Sequence, residues 1–287
     1  MTEPIMKTAA GHGVKIQLAQ WDGKGKAILC IHGITANCRC WDVIASGLSP
    51  AHRVVAMDLR GRGLSESPDS GYSISHHCKD ILSVLDDLHL EKAIIMGHSL
   101  GAFISVVFGA EHPERVDRII LVDGGGKLSD IQMAKVFAGI KPSLDRLGRI
   151  FPSFEAYLNL MKSAPFFKSW SPALETYYRY EIEEVDGGVR SRINPAHIRE
   201  ERENLGKVDI SQFYDKISSP VLILRATHGM VAEDDLLLPQ DVAERMVKKI
   251  SDARYVDIPG TNHYSIVFEK IVMRDKSILD FLARVRP

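Results

Sequence analysis

Five short stretches of the chain, residues 27–31, 54–57, 93–96, 119–122 and 221–224, are apolar at successive positions. Four or five residues are too few for a helix. Continuous apolarity marks strands buried on both faces, as in a parallel sheet. A sixth stretch, 255–258, resumes the pattern late in the chain. Val14, Ile16 and Leu18 alternate with polar residues and predict a half-exposed edge strand. Helical spacing fills the gaps. Ser73 precedes Ile74, Cys78, Ile81, Val84, Leu85 and Leu88, which share one helix face behind a Ser N-cap. The segment after Ser99 is apolar nearly all round until Pro113, predicting a helix buried under its neighbours. A terminal helix is expected to use Ile271, Val272, Ile278, Leu279 and Leu282. Strand alternating with helix predicts an α/β fold with right-handed crossovers.

The alternation stops between Lys127 and Gly206, where no strand-like run occurs and aromatic residues crowd together. Such a length is too long and too aromatic for an unstructured loop. It predicts a helical insertion, residues 127–206, in a core formed by 1–126 and 207–287. Most of its aromatic residues are expected to serve its own packing, and none is nominated as a site residue.

The 287 residues suit one large domain with an inserted lobe. Lys and Arg (36) balance Asp and Glu (37), so the basic footprint of a nucleic-acid or anionic-membrane binder is missing. Apolar stretches fall short of a membrane helix, and the first residues lack the apolar core of a secretion signal. Cys30 lies in an apolar run as a buried thiol would, while Cys38 and Cys40 lack the second ligand pair of a zinc site. The expectation is a reduced cytoplasmic protein with no metal and no cofactor, its assembly state left open.

Gly97-His98-Ser99-Leu100-Gly101 follows one predicted strand and opens the buried helix. A serine on so sharp a turn is held exposed, and its neighbours must be small because backbone passes close by. The helix N-terminus directs N–H groups at any anion formed above it. His32-Gly33-Ile34-Thr35 follows another core strand, so the backbone N–H groups of Leu100 and Ile34 are candidate oxyanion donors. A serine hydroxyl also needs a base. Of eleven histidines, His263 lies in a turn between the last strand and the last helix, from which it can reach the carboxyl edge of the sheet. His76, His77 and His112 are expected in solvated or capping roles, His98 in packing, and His32 in supporting its own loop. Asp58, Arg60 and Arg62 form a glycine-rich turn expected to be ordered by charge-assisted hydrogen bonds.

These stretches, together with Asp58 to Ser65 and Asn262-His263-Tyr264, make the chain resemble the α/β-hydrolase fold superfamily, in its cap-bearing, cofactor-free aspect. The resemblance implies a mostly parallel eight-stranded sheet, an active site between sheet edge and cap, and hydrolysis through a Ser–acid–His triad in that chain order. Many relatives carry the acid after the strand corresponding to 221–224, where this chain reads Arg225 to Met230 without a carboxylate. Asp123, ending the run 119–122, is favoured because a strand terminus is a rigid platform and keeps the order Ser99, Asp123, His263. Glu233, Asp234 and Asp235 are the alternatives. Ester cleavage leads among the functions, followed by a lactone, an amide or a diketone carbon–carbon bond; a ligand receptor on the same fold is the non-enzyme alternative.

Overall fold

The computed structural model describes residues 2–284. Ten strands are β1 (Ile5–Ala10), β2 (Lys15–Trp21), β3 (Gly25–Ile31), β4 (His52–Met57), β5 (Ala93–His98), β6 (Val116–Val122), β7 (Ile182–Val185), β8 (Gly188–Ser191), β9 (Val221–Ala226) and β10 (Ala253–Ile258). The α-helices are α1 (Asp42–Leu48), α2 (Ile74–Asp87), α3 (Leu100–Glu111), α4 (Asp130–Gly139), α5 (Lys141–Asp145), α6 (Phe154–Lys162), α7 (Pro172–Glu181), α8 (Pro195–Leu205), α9 (Gln240–Lys249), α10 (Ser265–Phe268) and α11 (Val272–Leu282).

Eight strands form one sheet in the order β1-β2-β4-β3-β5-β6-β9-β10. The pairs β1–β2 and β2–β4 are antiparallel, and the remaining pairs are parallel. All six apolar runs are strands here. Those of β3, β5, β6 and β9 are buried throughout, because helices flank both faces of the sheet. Ser73 caps α2 as expected, accepting from the His76 N–H.

Register positions the site. Ile31 pairs with Gly97, His98 with Val122, and Val122 with Leu224, so β3, β5, β6 and β9 end level at one carboxyl edge. From β3 the chain crosses to β4 on one side, and from β5 to β6 on the other. The crevice between β3 and β5 is therefore the topological switch point, where open α/β sheets bind ligands.

Three expectations are corrected. β2 is not the edge: β1 pairs along its whole length and covers it, leaving Ile16, Leu18 and Ala19 fully buried. β1 itself is mostly exposed, so its sequence carries little hydrophobic pattern. The stretch 127–206 contains α4 to α8 but also the hairpin β7–β8, turned by Asp186-Gly187 with Gly187 at φ 86°. An Asp-Gly pair is a hairpin signal, although the flanking Glu residues hide the strands. In α11 the inward residues are Arg274, Ile278 and Phe281, whereas Val272 is 83% exposed. Arg274 is buried because it donates to the carbonyls of Ile266 and Glu269 that end α10. Among the described residues no helix is long and apolar enough to cross a membrane.

Candidate active site

Ser99 joins β5 to α3 with φ 55° and ψ −120°, a conformation that L-residues rarely adopt and that costs on the order of 1–3 kcal/mol. Its surroundings enforce it. The Ser99 N–H still donates to the Val122 carbonyl as a continuation of the sheet, while its own carbonyl accepts from Ala102 to start the helix. The flanking glycines allow the reversal: a Cβ on Gly97 would lie 2.1 Å from the Gly101 oxygen, and one on Gly101 would lie 2.0 Å from the Ile31 oxygen. The requirement for small neighbours is thus met by backbone against backbone, with no flexible side chain to yield.

Asp123 follows β6 and has φ 45°. Its Oδ1 accepts from the Ala226 N–H, and its Oδ2 lies 2.7 Å from His263 Nδ1, with both residues buried. This contact engages Nδ1 and leaves Nε2 as the other ring nitrogen of a residue that lines the cavity. The competing carboxylates are engaged elsewhere. Asp235 is buried and accepts from the N–H groups of Met230, Val231 and Ala232, closing its own loop. Asp234 is exposed and pairs with Lys135, and Glu233 is exposed.

The turn bearing His263 is held at several points. Asn262 accepts from the N–H groups of Tyr264 and Ser265 and donates to the Phe166 carbonyl. His98, buried, contacts the His263 carbonyl through Nε2 at 2.9 Å, and the two rings stand 4.4 Å apart. Burial, then the neighbouring His263, pushes His98 well below the usual imidazole range, so it stays neutral beside the other ring. His98 packs and supports, as its position beside Ser99 suggested. His32 likewise holds its loop: Nδ1 reaches the Gly33 carbonyl at 2.7 Å and Nε2 accepts from the Leu59 N–H. Burial lowers its pKa to about 3.

Gly33 lies over Ser99; a Cβ there would sit 3.1 Å from Ser99 Cβ. Leu100, as the first residue of α3, has no carbonyl partner within the helix for its N–H. Ile34 follows Gly33, and Ile34, Ser99 and His263 line the same cavity. The Ser99 hydroxyl makes no side-chain hydrogen bond among the described residues, and Ser99 and His263 line the same cavity.

The cavity has two sides. One, of about 40 Å³, is bounded by Phe103, Met133, Val136, Phe137, Ile140 and Leu237. The other carries Thr35, Ser143, Arg146, Tyr177, Tyr178 and Tyr264. These wall residues belong to no motif of the sequence. Met133, Val136, Phe137 and Ile140 follow the i, i+3, i+4, i+7 spacing of one helix face and were detectable as such. Tyr177 and Tyr178 belong to the aromatic packing of the insertion and also line the cavity. Arg146 gave no local signal.

One further expectation is revised. His77 is not solvated: it is fully buried, with Nε2 2.7 Å from Glu201 of α8. Burial alone would raise the Glu201 carboxyl, but His77 and Arg62 outweigh it and hold the pKa at about 2. The turn after β4 is ordered by charge-assisted hydrogen bonds, as expected, and its partners lie largely on other elements. Arg60 binds Asp80 of α2 and Arg62 binds Glu201, while Asp58 accepts from the N–H groups of Cys38 and Leu64 and from the Tyr180 hydroxyl. All four cysteines are buried free thiols.

Residues 26–270 match the family model of the alpha/beta hydrolase fold. The 2-(acetamidomethylene)succinate hydrolase of Mesorhizobium japonicum is 28% identical over 246 residues, covering 84% of this chain and 83% of the relative. The 3-hydroxybutyrate-oligomer hydrolase of Cupriavidus necator is 27% identical over 251 residues, covering 83% and 82%. A crystal structure of an E-2-(acetamidomethylene)succinate hydrolase superposes with a TM-score of 0.84 at 23% identity, covering 98% of this chain and all of that one; it shows the shared fold.

Proposed function

The chain belongs to the alpha/beta hydrolase fold family, and relatives matched over most of its length are hydrolases; we propose that it cleaves a carboxylic ester through an acyl-enzyme on Ser99. The observation that carries this reading is the 2.7 Å contact of Asp123 with His263 Nδ1, beside a serine forced to φ 55° on the same cavity. Asp123 holds the proton on Nδ1, which leaves Nε2 free to act as base. Rotation of the serine hydroxyl toward Nε2 starts the reaction, a contact that commonly forms only with substrate bound. His263 takes the Oγ proton while Oγ attacks the ester carbonyl carbon. The resulting oxyanion is received by the N–H groups of Ile34 and Leu100, each donor worth roughly 3–4 kcal/mol in comparable sites. Collapse expels the alcohol, which takes the proton from Nε2. Water, deprotonated by the same nitrogen, then attacks the acyl carbon, and Oγ departs with the proton from Nε2, releasing the carboxylic acid and restoring Ser99.

The α4 side of the cavity supports an uncharged, short acyl group. Its lining beyond Ser99 and His263 is apolar, and its volume is small, about 40 Å³. The segment 127–206 acts in this reading as a cap that supplies the wall. Arg146 offers no free charge for an acidic substrate, because both carboxylate oxygens of Glu181 lie 2.8 Å from it.

A second reading, amide cleavage by the same residues, is favoured by the relative named for an acetamidomethylene substrate. Matched panels of p-nitrophenyl esters and p-nitroanilides of the same acyl groups separate the two. In the ester reading, esters turn over and give a burst of alcohol, a p-nitrophenyl phosphonate labels Ser99, and Ser99→Ala loses both. Turnover of anilides alone would replace the ester by the amide. Substantial turnover by Ser99→Ala would end the nucleophile assignment.

A further inference from the structure

Two buried arginines converge on the loop after β3. Arg62 donates from Nε to the Ile34 carbonyl (3.2 Å) and from Nη2 to Glu201 (2.9 Å). Arg146, following α5, donates from Nη2 to the Thr35 carbonyl (2.9 Å) and from Nε and Nη2 to Glu181 (2.8 Å each). The Gly33 carbonyl is held in turn by the Ala36 N–H and His32 Nδ1. Three successive carbonyls are thereby fixed, and with them the direction of the Ile34 N–H between them. Both carboxylates belong to the inserted segment: Glu181 ends α7 and Glu201 lies in α8. Both are fully buried and hold further donors, Tyr157 and Ser191 on Glu181 and His77 on Glu201.

We propose that Glu181 and Glu201 are positioning residues: acting through Arg146 and Arg62, the inserted segment aims the Ile34 N–H at the reacting oxygen. A guanidinium is a rigid planar fork, so anchoring one edge on a carboxylate directs the remaining N–H groups. A buried arginine without its carboxylate would move toward water or another acceptor, because an unpaired buried cation is costly. The Ile34 and Thr35 carbonyls would then be released. The inference rests on the reading of Ile34 as an oxyanion donor.

The test compares the full-length protein with Glu201→Gln, Glu181→Gln and Arg62→Lys. The lysine variant keeps a cation for Glu201 but has no Nε–H for Ile34, so the question stays open to measurement if either glutamine variant fails to fold. The readouts are kcat and KM on a short-chain p-nitrophenyl ester and the affinity of a trifluoromethyl ketone with the same acyl group, which forms an oxyanion on Ser99. The expected result is a kcat loss of roughly 10- to 100-fold, given the 10²–10³-fold cost of deleting a donor outright. KM should stay within about twofold, and the ketone should weaken in parallel with kcat. Folded variants with unchanged kcat would overturn the proposal, as would KM rising as steeply as kcat falls. If the wild type gives no ester turnover and no phosphonate label, it is the serine-hydrolase reading that fails; an active, labelled wild type with unaffected variants refutes the positioning role alone.

Discussion

At the end of β5 position is stored in the backbone, whereas across the cavity it is stored in buried side chains. Among the described residues three non-glycine residues have positive φ, and two of them, Ser99 and Asp123, end neighbouring parallel strands at the cavity. Their strain is borne by the fully buried sheet. The inserted segment holds no such residue. There Glu181, Arg146, Tyr157 and Ser191 form one hydrogen-bonded cluster, and Glu201 joins Arg62 and His77 of the core in another. On the proposed reading, chemistry that tolerates little displacement sits on the strained strand ends, while walls and donor orientation come from side chains that can be exchanged one at a time. Substitutions on the sheet edge should therefore affect bond cleavage or folding, and those in the insertion should affect specificity and rate.

The strongest test of that contrast is Asp123→Asn. With the tautomer no longer held, kcat should fall by about 10⁴-fold with the melting temperature nearly unchanged. Asp235→Asn, which weakens bonds to three backbone N–H groups, should instead cost about 1–3 kcal/mol of stability and leave kcat close to wild type. Kinetics and thermal melts on the two variants check this, and a larger kcat loss in Asp235→Asn would reverse the assignment of the acid.

Gly97→Ala is expected to cost at least about 3 kcal/mol, since the new methyl meets the Gly101 carbonyl and cannot be accommodated by a rotamer. Denaturant titration reads the loss. Soluble protein of wild-type stability would show that the turn is less constrained than its geometry states.

Acid lability should separate the two regions by pH window. His32 is held neutral with a folded pKa of about 3, so an unfolded chain with pKa ~6.5 binds the extra proton first. Stability then falls as pH drops from about 6.5 toward 3, by about 1.4 kcal/mol per pH unit for this residue. Glu201 is lowered to about 2; its contribution is complete above about 4.5 and is lost as pH falls through the folded value. Urea melts from pH 7 to pH 4 should show a shallower slope in His32→Gln. An unaltered slope would remove His32 from this account.

Smaller effects are expected in the insertion. Phe137→Ala enlarges the apolar side of the cavity, and the preferred acyl chain should lengthen by two or more carbons, with roughly tenfold relative gain for the longer ester. A chain-length profile of kcat/KM measures it, and an unmoved optimum would take the acyl group off the α4 wall. The least effect belongs to Gly206→Ala, where φ is −63° and the nearest atoms to a new Cβ are 3.6 Å away. It should be neutral or stabilising by about 0.4–1 kcal/mol in thermal melts, in contrast to Gly97.

How much of this was readable before folding depends on the range of the interaction involved. The runs 27–31, 93–96 and 119–122 announce parallel strands because a strand buried on both faces must be apolar at every position. Ser99 and its two glycines are legible because the turn is local, with a strand immediately before it and a helix immediately after. The face of α4 was legible in principle from its spacing. β1 was not, since an exposed edge strand needs no hydrophobic pattern, and Glu183 and Glu184 concealed the hairpin behind charge.

The sequence by itself determined the α/β architecture, the strained serine and the histidine that follows the last strand, because each is written within about ten consecutive residues. Only the tertiary structure decided which of four carboxylates meets His263, and which acids of the insertion receive Arg62 and Arg146. Those pairings join residues 35 to 140 positions apart. A buried charge requires a partner but does not specify one in the order of the chain, and the close packing of sheet edge against insertion makes the selection.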